Sequence, residues 1–422
     1  MFGLASSLTG AGGTLTGGAS RFRRRIMVFA LALAMAAMTV PAGLPATAAP
    51  PGRGTLHWSP CYKDVGAEFG VTYECAQLNV PLDHDEPAGA QVQLALVRLP
   101  ARDQDARIGS ILLNPGGPGG SGVDFALFFG PFAEFIWGPE VRDRFDLVGF
   151  DPRGVGRSIK CFGNERQALE ALTPFTFPLT PAEEQIRADG DGLLAEQCDR
   201  RGNRIGEHMS TANVARDMDL LRSAVGDEQL TYVGLSYGTY LGVTYANLFP
   251  DRVRSVVVDA VLDPHAWANV DGQVPFSTRL RSDQGAQATL DRFFELCEAV
   301  APGNCAFAPN PAQRFDALAQ RLLAEPVRFT DPETGEPVAV TYQDMIGETL
   351  IGLYDPFEYA AVAELLAVLE SVASPGTEAS PAKRQRAAQF VNKRGVPHYQ
   401  NFVESFPAVA CSDSNNPTDY AV

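Results

Sequence analysis

The chain has 422 residues, of which 45% are hydrophobic, and its formal net charge is −16 at pH 7. This length and apolar content exclude a wholly disordered protein and allow one large core with an inserted module. The excess of 50 acidic over 34 basic residues excludes nucleic acid as an expected partner, because binding a polyanion needs a basic surface.

The first 49 residues carry no acidic side chain, and four arginines between positions 21 and 25 precede an apolar run over 26–40. A small-residue pattern suited to cleavage follows at Ala46, Thr47 and Ala48. This order is typical of a secretory signal peptide. A run of about 15 apolar residues is short for a membrane-spanning helix. We therefore expect residues 1–49 to be removed on export, leaving 30 basic against 50 acidic residues and no stable membrane insertion.

Seven cysteines without Cys-x-x-Cys spacing favour disulfides over a metal site in an exported chain. The simplest local connectivity joins 61 with 75, 161 with 198 and 297 with 305, although spacing alone does not decide it. Cys411 is then left without a partner. No motif predicts a metal or an organic cofactor.

Alternating strand and helix patterns run through the first part of the chain. They predict strands over 73–80, 92–99, 111–113, 147–150, 230–233 and 253–261, with helices over 212–225, capped by Ser210, and 239–248. Such alternation predicts an α/β core over residues 50–264 with a doubly wound, mostly parallel sheet.

The pattern then becomes mainly helical. It predicts helices over 290–300, 313–323 and 359–372, a hairpin around 328–340, and a mobile loop over 374–383. We interpret residues 265–405 as a helical cap inserted over the active-site edge. Residues 406–422 are interpreted as the beginning of a return to the core.

A Gly-x-Ser-x-Gly motif spans residues 234–238, between a predicted strand and a predicted helix. The two glycines permit a turn too tight for larger side chains, which presents the central hydroxyl at the edge of the sheet. This context is typical of a nucleophile elbow. Ser236 is therefore the candidate nucleophile.

A glycine-rich loop over 114–122 follows the third predicted strand. Acyl transfer needs backbone N–H groups directed at the developing oxyanion, and glycines allow the close approach. Gly117 and Tyr237 are the candidate donors, with Gly116 as a further candidate. A phosphate-binding loop is the alternative interpretation, but no Gly-Lys-Ser/Thr follows.

A polar loop over 151–158 follows the fourth predicted strand. We interpret it as support, with Asp151 or Arg153 tying the oxyanion loop to the elbow. Direct contact between Arg153 and substrate is the alternative hypothesis.

Together these loops resemble the secreted tripeptidyl-aminopeptidase and prolyl-aminopeptidase family of α/β-hydrolases. The resemblance extends to Cys75 with residues 80–83, and to 210–221, Asp259 with 261–264, and 408–413. It implies an α/β-hydrolase fold and a serine exopeptidase that removes short peptides from free N-termini. It also implies that the cap restricts access and that acidic cap residues hold the substrate ammonium.

The chain departs from that family near its C-terminus. In the family, the catalytic acid and histidine follow the cap, each after another core strand, and a later cysteine pairs with the one at position 411. Residues 412–422 contain neither a strand pattern nor a histidine. We therefore expect a C-terminally truncated chain that lacks the last core strands.

Asp263 as the acid and His398 as the base are conceivable substitutes, with His265 as a second candidate base. Structural roles for these side chains are favoured over catalytic ones. Three functions remain open: a secreted exopeptidase acting through an acyl-enzyme on Ser236, a secreted carboxylesterase, and an inactive peptide-binding form. The expected partner is a peptide or small acyl substrate.

Overall fold

The computed structural model describes residues 56–156, 160–164, 167–168, 177–202, 204–268, 274–300, 303–374, 379–391 and 401–417. The predicted signal peptide over 1–49 and His398 lie outside these residues. The described residues fall into two compact units. One comprises those within Leu290–His398, and the other comprises those within Leu44–Thr289 and Tyr399–Val422.

A seven-stranded sheet organises the second of these units. Its strands are β1 (Ser59–Cys61), β2 (Tyr73–Pro81), β3 (Gln91–Leu99), β4 (Gly109–Asn114), β5 (Phe145–Phe150), β6 (Leu230–Leu235) and β7 (Val253–Asp259). They lie in the order β1-β2-β3-β5-β4-β6-β7. Neighbours from β5 through β4 and β6 to β7 are parallel, whereas β1, β2, β3 and β5 pair antiparallel.

The helices of this sheet-containing unit lie between and after these strands in the chain. They are α1 (Lys63–Phe69), α2 (Gly122–Phe129), α3 (Ala133–Trp137), α4 (Pro139–Arg144), α5 (Pro181–Arg201), α6 (Thr211–Ala224), α7 (Tyr237–Leu248), α8 (Pro264–Ala268), α9 (Phe276–Leu280) and, later in the chain, α15 (Phe402–Asp413). The predicted cap of α6 is confirmed, since the Ser210 hydroxyl accepts the Asn213 N–H.

Strand β4 lies at the centre of the parallel strands and is buried at every residue. Its Leu113 is in register with Gly149 of β5 and with Val233 of β6. Because parallel strands end at the same edge, the loops after all three begin side by side. The predicted α/β core is confirmed, and this edge carries the loops that the sequence singled out.

The other unit has its own apolar core, built around Phe293, Phe307, Leu318, Met345 and Leu366. Its elements are α10 (Ser282–Ala299), most of which belongs here, α11 (Pro311–Ala324), β8 (Val327–Thr330), β9 (Pro337–Val340), α12 (Tyr342–Gly352), α13 (Tyr359–Ala373) and α14 (Pro381–Val391). The predicted hairpin is confirmed. The predicted loop over 374–383 was too long at its end, because α14 begins at Pro381, which is well placed in a first helical turn.

The three predicted disulfides are confirmed: Cys61–Cys75, Cys161–Cys198 and Cys297–Cys305. Cys411 is an exposed free cysteine. Strand β7 ends the sheet, and among the described strands only β6 pairs with it. Val257 on β7 is 48% exposed.

Candidate active site

Ser236 occupies the turn between β6 and α7 with a backbone that few non-glycine residues adopt, at φ 54° and ψ −124°. Its N–H donates to the Asp259 carbonyl at 3.1 Å. Its own carbonyl accepts the N–H and the hydroxyl of Thr239, at 2.9 and 2.6 Å. These bonds hold a strained residue in one conformation, as is common at functional sites.

The glycines that flank Ser236 are required by close packing. A Cβ on Gly234 would lie 2.3 Å from the Gly238 carbonyl oxygen, and one on Gly238 would lie 2.8 Å from Asn114 Oδ1. Neither position has room for a side chain. The turn therefore matches the geometry that the motif predicts.

The glycine-rich loop lies against this turn. Gly116 has φ +91°, and a Cβ there would lie 2.4 Å from Leu235 O and 2.9 Å from Tyr237 N. Its N–H donates to Asn114 Oδ1 at 2.9 Å. The lack of a side chain at Gly116 therefore lets the loop backbone lie against the backbone of the Ser236 turn. The Gly116 N–H is already hydrogen-bonded to Asn114.

Gly117 and Tyr237 remain as candidate oxyanion donors. Among the described residues, neither backbone N–H has a hydrogen-bond acceptor. Tyr237 is the first residue of α7, where the helix dipole favours negative charge. Two free N–H groups on adjoining segments are what an oxyanion needs.

Asp151 supports the far end of the glycine-rich loop. Its Oδ1 accepts the Ser121 hydroxyl at 2.6 Å and the Val123 N–H at 3.2 Å. Ser121 in turn caps α2 by accepting the Asp124 N–H at 3.0 Å. Burial raises the pKa of Asp151 to about 6. This carboxyl thus joins the end of β5 to the start of α2.

Arg153 is wholly buried and forms a two-bond ion pair with Asp217 on α6, at 2.7 and 2.6 Å. It also donates to the carbonyls of Pro81, Leu82 and His208. Its described bonds reach β2 and α6 rather than the glycine-rich loop or the Ser236 turn. A side chain with 0% exposure offers no surface to a substrate.

Helix α15 lies over the glycine-rich loop, and the sequence patterns did not predict this helix. A Cβ on Gly117 would lie 3.2 Å from Phe402 Cε2, and one on Gly119 would lie 2.7 Å from Ser405 Oγ. Just before the helix, the Asn401 side chain donates to Gly154 O at 2.7 Å. Residues 401–405 therefore pack against two of the loops at this edge of the sheet.

Glu404 on α15 is 1% exposed, and its Oε1 accepts the Cys161 N–H at 3.4 Å. Its Oε2 has no hydrogen-bond partner among the described residues. Burial raises the pKa of this carboxyl from 4.5 to about 7. The folded protein therefore holds a proton here that the unfolded chain releases at lower pH.

Between pH 4.5 and 7 the folded state binds more protons at Glu404 than the unfolded state does, so stability falls as pH rises through this window. We expect Glu404→Gln to lack this part of the decline. The stability of the variant relative to wild type should therefore rise by about 3 kcal/mol from pH 4.5 to pH 8. Urea unfolding at both pH values measures it, with exposed Glu207→Gln as control. A constant difference between Glu404→Gln and wild type would contradict the expectation.

Of the candidate substitutes for the catalytic pair, Asp263 has a structural role. Asp263 Oδ1 accepts the N–H groups of His265 and Ala266 at 2.9 and 3.4 Å, which caps α8. His265 is exposed. His398 lies outside the described residues, so its pairing with Asp263 stays a prediction.

Within the described ranges, no group of three or more His, Cys, Asp or Glu side chains is arranged to hold a metal ion. Nor does any helix in that part of the chain have the length and apolar character needed to cross a bilayer.

A family model for the alpha/beta hydrolase fold matches residues 109–284, which include β4, β6 and the Ser236 turn. Carboxylesterase B of Mycobacterium tuberculosis is 32% identical over 378 residues, covering 86% of this chain and 67% of that protein. The chain belongs to the α/β-hydrolase family. The predicted fold and family are confirmed.

Two further relatives of this α/β-hydrolase are peptidases by name. Serine protease Hip1 of Mycobacterium tuberculosis is 35% identical over 317 residues, covering 71% of this chain and 57% of that protein. Tripeptidyl aminopeptidase of Streptomyces coelicolor is 36% identical over 267 residues, covering 61% of this chain and 48% of that protein. The α/β-hydrolase described here thus spans about half the length of these two relatives.

Proposed function

We propose that this protein is a secreted serine exopeptidase that releases short peptides from free N-termini through an acyl-enzyme on Ser236. The observation that carries this function is the strained Ser236 turn, with Gly116 packed against the Tyr237 N–H. Relatives named serine protease and tripeptidyl aminopeptidase support a peptide substrate. Three disulfides support export.

In this mechanism the Ser236 hydroxyl attacks the scissile carbonyl, and the carbonyl oxygen becomes negatively charged. The N–H groups of Gly117 and Tyr237 donate to that oxygen, with the positive end of α7 adding to the stabilisation. A base must take the Ser236 proton, because a neutral serine hydroxyl is a weak nucleophile. Asp151 acts indirectly, by holding Ser121 and the start of α2.

Fluorophosphonate labelling of the purified chain, located by peptide mass spectrometry, tests whether Ser236 is activated. We expect one labelled peptide, containing residue 236, and loss of at least about 99% of the label in Ser236→Ala, because the nucleophile is removed. Circular dichroism of both proteins establishes that they are folded. A folded wild-type chain that takes no label would contradict an activating base within these 422 residues.

Carboxylesterase activity is the second candidate, since a relative with that name covers most of the chain. A tripeptide p-nitroanilide with a free N-terminus, its N-acetylated form and p-nitrophenyl acetate separate the two functions. An exopeptidase prefers the free N-terminus over the acetylated peptide. An esterase cleaves only p-nitrophenyl acetate. Binding of the free peptide without turnover would instead indicate the inactive peptide-binding form.

A further inference from the structure

A chain of polar groups connects the Ser236 turn to the end of α15. The hydroxyl groups of Tyr237 and Thr211 are hydrogen-bonded to each other. The Thr211 hydroxyl donates to Asp413 Oδ2 at 2.5 Å, and the Thr211 N–H donates to Asp413 Oδ1 at 2.8 Å. The Trp267 indole N–H also donates to Oδ2, at 3.3 Å. No role for Asp413 follows from the mechanism above.

The direction of these hydrogen bonds is set by Asp413. The single Thr211 hydroxyl proton points toward Asp413, so the Tyr237 hydroxyl must donate to Thr211. Thr211 is also the first residue of the 14-residue helix α6, whose N-terminus favours a negative charge. The carboxylate therefore orients a buried hydroxyl on the residue next to Ser236.

An aromatic cluster reinforces the same connection. Ring centroids lie 5.6 Å apart for Tyr237 and Trp267, and 4.9 Å apart for Trp267 and Phe276. Phe276 contacts Phe406, which contacts Phe402, and Phe402 packs against the glycine-rich loop. The cluster thus runs from one candidate oxyanion donor to the loop that carries the other.

Arg279 fixes the segment that follows Asp413. Its guanidinium donates to the Ala266 and Trp267 carbonyls at 2.7 and 2.9 Å, and to Ser414 Oγ at 2.7 Å. The end of α15 is therefore held against the element that carries Trp267. Asp413 has a defined place from which to act on Tyr237.

We propose that Asp413 is a positioning residue that, through Thr211, holds Tyr237 so that its backbone N–H and the Ser236 hydroxyl keep the geometry needed for reaction. This inference rests on the function proposed for Ser236. Asp413 touches neither the reacting serine nor the oxyanion in this arrangement.

Asp413→Asn tests the direction of the hydrogen bonds, because an amide nitrogen donates where the carboxylate accepts. Thr211→Val removes the intervening hydroxyl, whereas Thr211→Ser retains it. The matched control is Asp227→Asn, another buried carboxyl that accepts a backbone N–H, from Ser110 at 2.7 Å. Ser110 lies near the start of β4, at the opposite end of that strand from the site.

Two experiments are made on the full chain. The first measures the rate constant and the affinity with which a fluorophosphonate labels Ser236. The second measures amide hydrogen exchange in a peptide that spans residues 236–248. We expect Asp413→Asn and Thr211→Val to slow inactivation about tenfold at saturating reagent with affinity within about twofold, since an oxyanion donor is displaced rather than removed. Exchange at the start of α7 should accelerate in both. Thr211→Ser and Asp227→Asn should behave as wild type.

If the wild-type chain takes no label, the function proposed for Ser236 fails while hydrogen exchange still decides whether Asp413 positions the turn. Unchanged exchange in both Asp413→Asn and Thr211→Val would overturn the inference. Equal slowing of inactivation by Asp227→Asn would also overturn it, because the effect would then follow from lost stability rather than from the Thr211 connection.

Discussion

Gly116→Ala is expected to slow fluorophosphonate labelling of Ser236 by about 100-fold, because the loop that carries one oxyanion donor is pushed away from the other. The new Cβ would lie 2.4 Å from Leu235 O and 3.0 Å from Ser236 Cβ. It would also lie 2.9 Å from Tyr237 N, and backbone atoms cannot move aside as the end of a flexible side chain can. This close contact and the strain of φ +91° should together lower the free energy of unfolding by about 3 kcal/mol.

Gly138→Ala is the matched control for this substitution. Gly138 has nearly the same φ, +89°, yet a Cβ there has nothing within 4 Å. It should lose about 1–3 kcal/mol through strain, because φ 89° and ψ 163° are essentially restricted to glycine, and keep the wild-type labelling rate. Labelling is compared at a temperature where both variants give native circular dichroism. Equal rates for the two variants would contradict the role given to the Gly116 contact.

Asp217→Ala is expected to lower the free energy of unfolding by about 3–5 kcal/mol, because it leaves the Arg153 guanidinium buried without its counter-charge. Both side chains have 0% exposure, and two hydrogen bonds join them. His84, whose Nε2 lies 2.9 Å from Asp217 Oδ1, loses a partner as well. Urea denaturation near neutral pH measures the loss.

The exposed pair of Arg200 and Glu196 on α5 provides the comparison, with side chains 62% and 52% exposed. Glu196→Ala should cost less than about 1 kcal/mol, since water already solvates both charges. An Asp217→Ala variant as stable as Glu196→Ala would show that Arg153 is not confined by its surroundings as the structure indicates.

The Ser236 turn could be predicted because its signal is local. Two glycines, a serine and the flanking apolar patterns lie within a few residues, and the same short segment forms the turn. The three disulfides were predictable for the same reason, since the nearest cysteines in sequence pair with each other.

Helix α15 could not be predicted in this way. Pro407 lies inside it, and a proline argues against a helix interior in any reading of local pattern. The helix is stabilised instead by distant neighbours such as Gly119 and Gly154. Tertiary packing overrides local preference here.

The different roles of Gly116 and Gly117 could not be predicted from the sequence either. Glycines 116 and 117 are equivalent in the sequence pattern, and both were candidates for the oxyanion site. They differ because the Asn114 side chain accepts the Gly116 N–H. Likewise, Asp217 gives no sign in the sequence that it is the partner of Arg153, 64 residues earlier.

The bond from Asn401 to the Gly154 carbonyl joins residues 247 positions apart. A ribosome therefore produces the glycine-rich loop and the Ser236 turn long before it produces α15. Contacts of such long sequence separation form late, because the intervening chain must first be ordered. The growing polypeptide thus carries Ser236 for a time without the contacts that α15 later makes with the glycine-rich loop.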